Sequence, residues 1–553
     1  MCYTCDNCIY NIVQVNILSI QKGNVMKTNS IFTRVLALVL CMIMVVGIMT
    51  ACYQPSKNDE VVGGITEEGS TDDFITVIKP GTVTKPTVTD PNHIYAGSTE
   101  LADNSLILGT LTNDVVIGDE EGIAALIPAD VKVDVGATSL ALSIKNVEDN
   151  GADFGDAEIL NNLDVHISGV ALDNKTPMTV KLGAILPIGL ANTELKLYHH
   201  ENGEAVLMTR VNSASDFAIH NQYVYNEETG EVTIYVASFS TFSMVKAEVD
   251  VLTAETAADT SWYTANTEAD EFTLDSAADF IGFRNLVDAG TTFEGKTVKL
   301  GVDIDLNNIN FDPIGYGYTY NKDSNTAFMG TFDGQGHTIY NLYEQGWDLE
   351  SATGKDYTYS TAGAGLFASI ENATIKNLVV NGADIKMECV DMGIVVGYAQ
   401  GTCHFENIVV TNSKIANYQR ATGGVVGEVC YGPYGTDISK GYSHTFKNIV
   451  VDSTVTVGSL WGDFDNLSGG VIGGKWGDAT VKMEDVTVAV RLDVYSDVTA
   501  AYQWYAYRRC GMLIGHTEQN SPKSALNAAA PFLTCDTVNV YYGDWVKYNY
   551  YEF

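Results

Sequence analysis

GGVVGEVC (residues 423–430) decides the fold, because near copies of it recur as GLFASI (365–370), GIVVGYAQ (393–400), GGVIGGKW (469–476) and GMLIGHTE (511–518). A second block alternates with it: IKNLVVNGADI (375–385), FENIVVTNSKI (405–415), FKNIVVDSTVT (446–456), MEDVTVAVRLDV (483–494) and CDTVNVYYGDW (535–545). In that block Asn377, Asn407 and Asn448 share one slot, which Asp485 and Thr537 take in the later copies. Each block reads as a strand of a few residues ended by Gly, Asn or Asp. A unit this small cannot bury its own apolar face, so it must stack on copies of itself. Parallel strands stacked with Val and Ile inward, and inserts such as YGPYGTDISKGYSH (431–444) outside, make a solenoid. An asparagine repeated at one point of successive coils can bond the coils above and below and tolerates a left-handed corner. Glycine opening the other block suits a place where backbone must pass close to the next coil.

Upstream of the repeats, GTFDGQGHTIYNL (330–342) packs an aspartate, three glycines, a histidine and an asparagine into thirteen residues. It reads as one more structural coil: Asp333, Gly334 and Gly336 make the turn, while Ile339 and Leu342 enter the core. Before it, Phe280, Ile281, Phe283, Leu286 and Val287 fall at helical spacing behind Ser276, a good N-cap residue, which predicts one short amphipathic helix as an end cap.

The alternating GGxxG and xNxxV blocks closely resemble the GLUG-motif, right-handed parallel β-helix surface proteins of bacteria. The resemblance covers roughly residues 270–553 and includes FEGKTVKLGVDIDLNN, DPIG, MGTFDGQGHTIYNL and GLFASIENATIKNLVV in the usual order. It implies an all-β fold, a right-handed parallel β-helix. It implies little about function, because that fold hosts adhesins, peptidase accessory regions and carbohydrate enzymes.

At 553 residues the chain is long enough for two or more domains, and 46% hydrophobic residues are those of a globular protein. Its 31 basic and 69 acidic residues give a net charge of −38, which repels nucleic acid and anionic lipid heads as partners. MKTNSIFTRVLALVLCMIMVVGIMTAC (26–52) has a basic start, an apolar run from Val35 to Ile48 and small residues before a cysteine. The run is short of the ~20 residues a bilayer needs, so the stretch reads as a secretory signal. The cysteine after MTA resembles a bacterial lipobox, which implies that Cys52 is lipidated and holds the mature chain on the outer face of the cell membrane. Residues 1–25, with Cys2, Cys5 and Cys8, then precede the true start. Cys389, Cys403, Cys430, Cys510 and Cys535 are scattered and odd in number, so buried thiols are expected in place of a disulfide framework.

Residues 52–92 read as an acidic, Pro/Thr-rich stalk. From 93 to 248, short alternating strands separated by turn clusters predict a β-sandwich module: Val131/Val133/Val135, Leu163/Val165/Ile167, Met178/Val180/Leu182, Leu195/Leu197 and Val232/Ile234/Val236. Its closing VTIYVASFSTFSMV (232–245) resembles the ends of repeated sandwich modules on bacterial surface proteins. A linker is expected over 249–269. His199 and His200 lie beside ENGE, where a solvated hairpin loop is the expected setting.

Enzyme chemistry has few candidates. A polysaccharide hydrolase needs two carboxylates ~5 to 10 Å apart across a groove, and Asp303, Asp305, Asp312 and Asp333 are the available ones. In VDIDL, however, Asp303 and Asp305 alternate with apolar residues, as in a strand with one wet face. Lys296, Lys299 and Lys322 could serve a lyase but form no motif, and phosphate loops and HExxH are absent. DIDLNNINFD (303–312) and GDFDN (462–466) offer oxygen ligands of the kind calcium takes, yet match no EF-hand loop, so a solvated acidic edge is expected, with no cofactor. Trp504, Tyr505, Tyr507, Tyr541, Tyr542 and Trp545 are the candidate ligand-binding aromatics. The sequence thus predicts a lipid-anchored, adhesin-like surface protein whose ligand is a glycan or a host or microbial protein. A polysaccharide-processing enzyme or its accessory, and a structural surface component, are the alternatives.

Overall fold

The computed structural model describes residues 93–540, apart from 103–105, 119–121, 149–151, 153, 155–156, 316–325, 347–362, 388, 418–420, 431–441, 460–466, 476–478, 495–508 and 518–532. The fold is all-β, with one half antiparallel except for the Thr209–Arg210 strand, which pairs in parallel with Gln222–Asn226, and one parallel half. Cys52, the stalk, the GDFDN cluster and all six candidate aromatics lie outside the described residues.

In the first half, alternation of apolar and polar residues builds two six-stranded sheets. One runs in the order His93–Glu100, Ser139–Asn146, Glu158–Ser168, Thr241–Lys246, Leu195–Glu201, Glu204–Leu207. The other runs Thr209–Arg210, Gln222–Asn226, Glu231–Val236, Met178–Ala184, Ala124–Ile127, Val115–Gly118. Leu140, Leu142 and Ile144 of the first share one apolar core with Val180, Leu182 and Ile234 of the second. The expected inward sets hold, with one exception. Val131 and Val133 are buried, but Val135 is fully exposed, because the chain turns at Asp134 and the alternation stops there. The expected linker, 249–269, is also structured. Val249–Val251 pairs in parallel with Asp303–Asp305, and Trp262 and Tyr263 pack on the core of the second half.

In that half every strand pairing among the described residues is parallel, and the repeats align residue for residue. Ile408, Val409 and Val410 lie opposite Ile449, Val450 and Val451, and Phe405 stacks on Phe446 at 4.6 Å. The eleven-stranded sheet takes the xNxxV blocks, and two five-stranded sheets and a four-stranded sheet take the rest. Asn377, Asn407, Asn448 and Asp485 all have φ between 52° and 55°, so each long strand turns a left-handed corner at the same point. At that corner the amides form a ladder. Asn407 Nδ2 donates to Asn377 Oδ1 (2.7 Å) and Asn448 Nδ2 to Asn407 Oδ1 (2.8 Å).

The glycine block doubles back on itself. Asp391–Gly393, Ala421–Gly423 and Leu467–Gly469 lie face to face with the Val-Gly strands of the neighbouring repeats. A Cβ on Gly427 would fall 2.4 Å from the Met392 nitrogen, and one on Gly473 2.5 Å from that of Thr422. Two sheets therefore pack backbone to backbone, which only the missing side chain permits. At the start of the stack the helix Ala277–Asp288 is capped by Ser276, whose side chain accepts from the Asp279 N–H. Phe280, Phe283 and Val287 are buried, and Phe283 meets Phe293, Phe328, Phe332 and Phe367, closing that end with aromatic rings. No helix among the described residues is long and apolar enough to cross a membrane.

Candidate functional site

The acidic residues near the start of the parallel half are the first place to look for chemistry, and the structure commits them to bonding. Asp333 ends the amide ladder: its Oδ1 accepts from Asn377 Nδ2 (2.8 Å) and the Gln335 N–H, and Oδ2 pairs with Lys376 (3.2 Å). Burial pushes its pKa up, but these donors outweigh burial and hold the carboxyl below its ordinary range. Asp305 accepts from the Asn307 N–H (2.7 Å) and from Asn341 Nδ2 (2.8 Å).

Asp303 is not on a wet face. It is fully buried, because the antiparallel half covers it. Lys196 Nζ (2.8 Å), His337 Nδ1 (2.8 Å) and the Thr338 N–H (3.1 Å) all donate to its Oδ1. The histidine of GTFDGQGHTIYNL thus braces, from within the parallel half, the carboxylate that Lys196 reaches from the antiparallel half, while Ile339 and Leu342 sit in the core as expected. Asp312 is half-buried and also engaged. The carboxylates a hydrolase would use are structural here.

The histidine pair was misread from sequence, because both residues lie on the strand Leu195–Glu201 and not on the turn after it. His199 is buried and stacked on Phe242 at 4.3 Å, and burial lowers its pKa to about 4. His199, Glu201 and His220 come close enough to hold a metal ion, but ligand atoms of all three are engaged in hydrogen bonds. His220 Nδ1 accepts from the Ala237 N–H, which leaves the proton on Nε2, and Nε2 donates to Glu201 (3.0 Å). His199 Nδ1 donates to Asn221, and Asn221 Nδ2 and Ser238 also donate to Glu201. Burial opposes ionisation of Glu201, but the donors from His220, Ser238 and Asn221 prevail and hold it well below the usual carboxylate range. His199 Nδ1, His220 Nε2 and the Glu201 carboxylate are thus tied together in a hydrogen-bonded clasp, while His199 Nε2 is buried without a hydrogen-bond partner.

Among the described residues, a shallow groove of about 380 Å³ lies on the outer face of the eleven-stranded sheet, spanning several repeats. Its lining comes from two stacked rows. Thr374, His404, Thr445 and Lys482 form one; Glu406, Lys447 and Glu484 belong to the other, in which Lys376 is the preceding residue. His404 Nδ1 meets Thr445 Oγ1 at 2.7 Å, Lys447 pairs with Glu406 at 3.3 Å, and Lys482 with Glu484 at 2.6 Å. Phe405 and Phe446 lie buried beneath. The result is a rigid polar strip of hydroxyl, imidazole, carboxylate and ammonium groups. Sequence reasoning missed it, although one signal was present: the residue before each ladder position alternates Lys376, Glu406, Lys447, Glu484.

No known family's sequence profile matches the chain, and no solved structure matches it. A stretch of 180 residues, about 30% of this chain, is 30% identical to Halomucin of Haloquadratum walsbyi, and the match covers 2% of that protein's length.

Proposed function

We propose that the chain is a lipid-anchored bacterial surface protein that binds a polar ligand, a glycan in the first instance, without cleaving it. In this reading the parallel half is a right-handed β-helix of the GLUG-motif kind. The antiparallel half is a β-sandwich spacer, and Cys52 carries the lipid. The observation that carries the binding role is the groove at His404, Glu406, Thr445 and Lys447, whose polar groups are held in register by the stacked repeats. Sugars are recognised by such arrays of paired donors and acceptors, and preorganisation lowers the cost of binding. The local likeness to Halomucin and the acidic stalk fit an extracellular setting.

The test is a panel of host and plant glycans presented to the chain with and without calcium, scoring retention and released product together. A retained ligand should lose at least ~10-fold in affinity in His404→Ala/Lys447→Ala, the scale of one or two lost charge-assisted bonds. Equal binding by that variant would move the site elsewhere, and release of product would replace binding with catalysis.

A further inference from the structure

Three tight turns at one end of the antiparallel half carry aliphatic residues where turns ordinarily carry polar ones. Leu108 and Gly109 form a two-residue hairpin loop between Ile107 and Thr110, both with positive φ (51° and 80°). Asn-Gly is the sequence such a loop favours, and a leucine in the left-handed region is strained. Val135 and Gly136 occupy the corners of a turn closed by the Ala137 N–H on the Asp134 carbonyl (3.0 Å). Leu172 and Asp173 occupy those of a turn closed by the Asn174 N–H on the Ala171 carbonyl (3.0 Å).

The turns are neighbours. The Val133 N–H donates to the Gly109 carbonyl, the Asp134 N–H to Gly169, the Ala171 N–H to Lys132, and Lys132 pairs with Asp173 at 2.6 Å. Leu108 is 101% exposed, Val135 106%, Leu172 101% and Ile107 66%, so these side chains stand clear of the surface. The turns at Val135 and Leu172 connect strands in those halves of the two sheets that lie away from Lys196, Arg210 and Gln222, which contact the parallel half.

We infer that these three turns insert into the hydrocarbon of a lipid bilayer. Convex aliphatic knobs on separate turns need a medium that flows around them, which hydrocarbon does and a second rigid protein surface does not. The choice of a bilayer rests on the anchor reading of Cys52. The 40 residues between Cys52 and His93 could span up to ~130 Å when extended, enough for the described structure to lie on the membrane that holds the chain. The rim carries exposed Asp130, Asp134 and Asp173 against Lys132 and Lys175, so an anionic surface gives no added attraction.

The experiment places a photo-crosslinking amino acid at Leu172, or at Ile188 as a control, in the full chain reconstituted in phosphatidylcholine vesicles, with and without phosphatidylglycerol. Ile188 is 73% exposed at the opposite end of the same sheets. Lipid adducts at Leu172 and not at Ile188, with no gain from phosphatidylglycerol, are expected. With the probe moved to Ile107, Leu108→Asn/Val135→Ser/Leu172→Ser should give at least tenfold less lipid adduct at an unchanged unfolding midpoint. Adducts to a second copy of the chain, equal adducts at Ile188, or none at all would overturn the inference. Fatty-acid labelling of Cys52 is scored separately: adducts without label sink the anchor alone, and label without adducts sinks the membrane contact alone.

Discussion

Asn407 performs two tasks at one position, and they can be separated. Its backbone takes the left-handed corner at φ 55°, and its side chain donates to Asn377 while accepting from Asn448. Alanine loses the ladder and strains the corner, a cost of roughly 1–2 kcal/mol for the conformation and about 1 kcal/mol for each hydrogen bond. Glycine keeps the corner free and loses only the bonds, apart from the entropy that glycine adds to the unfolded chain. Chemical denaturation should therefore rank wild type above Asn407→Gly, and Asn407→Gly above Asn407→Ala. Equal stability of the two variants would mean that the corner carries no strain. This role was legible from sequence, because a repeated Asn at a strand corner leaves few other uses. The burial of His199 was not legible, since it depends on Phe242, 43 residues further along the chain, which a single strand cannot report.

At the scale of elements, the glycine block accounts for repeats whose inserts vary in length while their short strands do not. The strands Ala421–Gly423 and Val426–Cys430 are joined by two residues and packed face to face with strands of adjacent repeats, so their separation is set by backbone contact. Gly427→Ala would put a methyl group 2.4 Å from the Met392 nitrogen and 2.5 Å from the Gly397 carbonyl, neither of which is the end of a flexible side chain. The sheets would have to move apart, and overpacking of this kind costs roughly 1–3 kcal/mol or more. Gly122→Ala meets nothing within 4 Å and should be neutral or slightly stabilising. A thermal melt of the two variants checks this, and matching melts would remove close packing as the reason for the motif. Periodicity made the parallel strands legible, as it did the capping helix. That the glycine block forms two facing sheets was not, because strand order in a stack is fixed by contacts between repeats and leaves no mark within one. The groove was hidden for the same reason: its rows exist only once Glu406 lies opposite Lys447.

For the whole molecule, the decisive question is whether its two halves are held as one body, since a groove on one and membrane-facing turns on the other work together only if they are. The joint is polar. Besides the Lys196–Asp303 pair, Asn412 Nδ2 (2.7 Å) and Thr411 donate to the Arg210 carbonyl, and Ser453 links Gln222 to the Asp216 carbonyl. None of this was legible in the sequence, where Lys196 and Asp303 stand far apart in different domains. Lys196 and Asp303 are both nearly inaccessible, so removing the lysine leaves a buried carboxylate with only His337 and one backbone N–H. Breaking such a pair costs roughly 3–5 kcal/mol, whereas replacing both partners by uncharged groups of similar size is often near neutral. Lys196→Ala should therefore separate a single unfolding transition into two, as the halves lose their coupling. Lys196→Met/Asp303→Asn should restore most of the cooperativity, because the amide oxygen still accepts from His337 and Thr338. Differential scanning calorimetry reads both outcomes. If Lys196→Ala melts as the wild type does, the ion pair does not hold the halves together, and the neutral contacts at Arg210 and Ser453 must suffice.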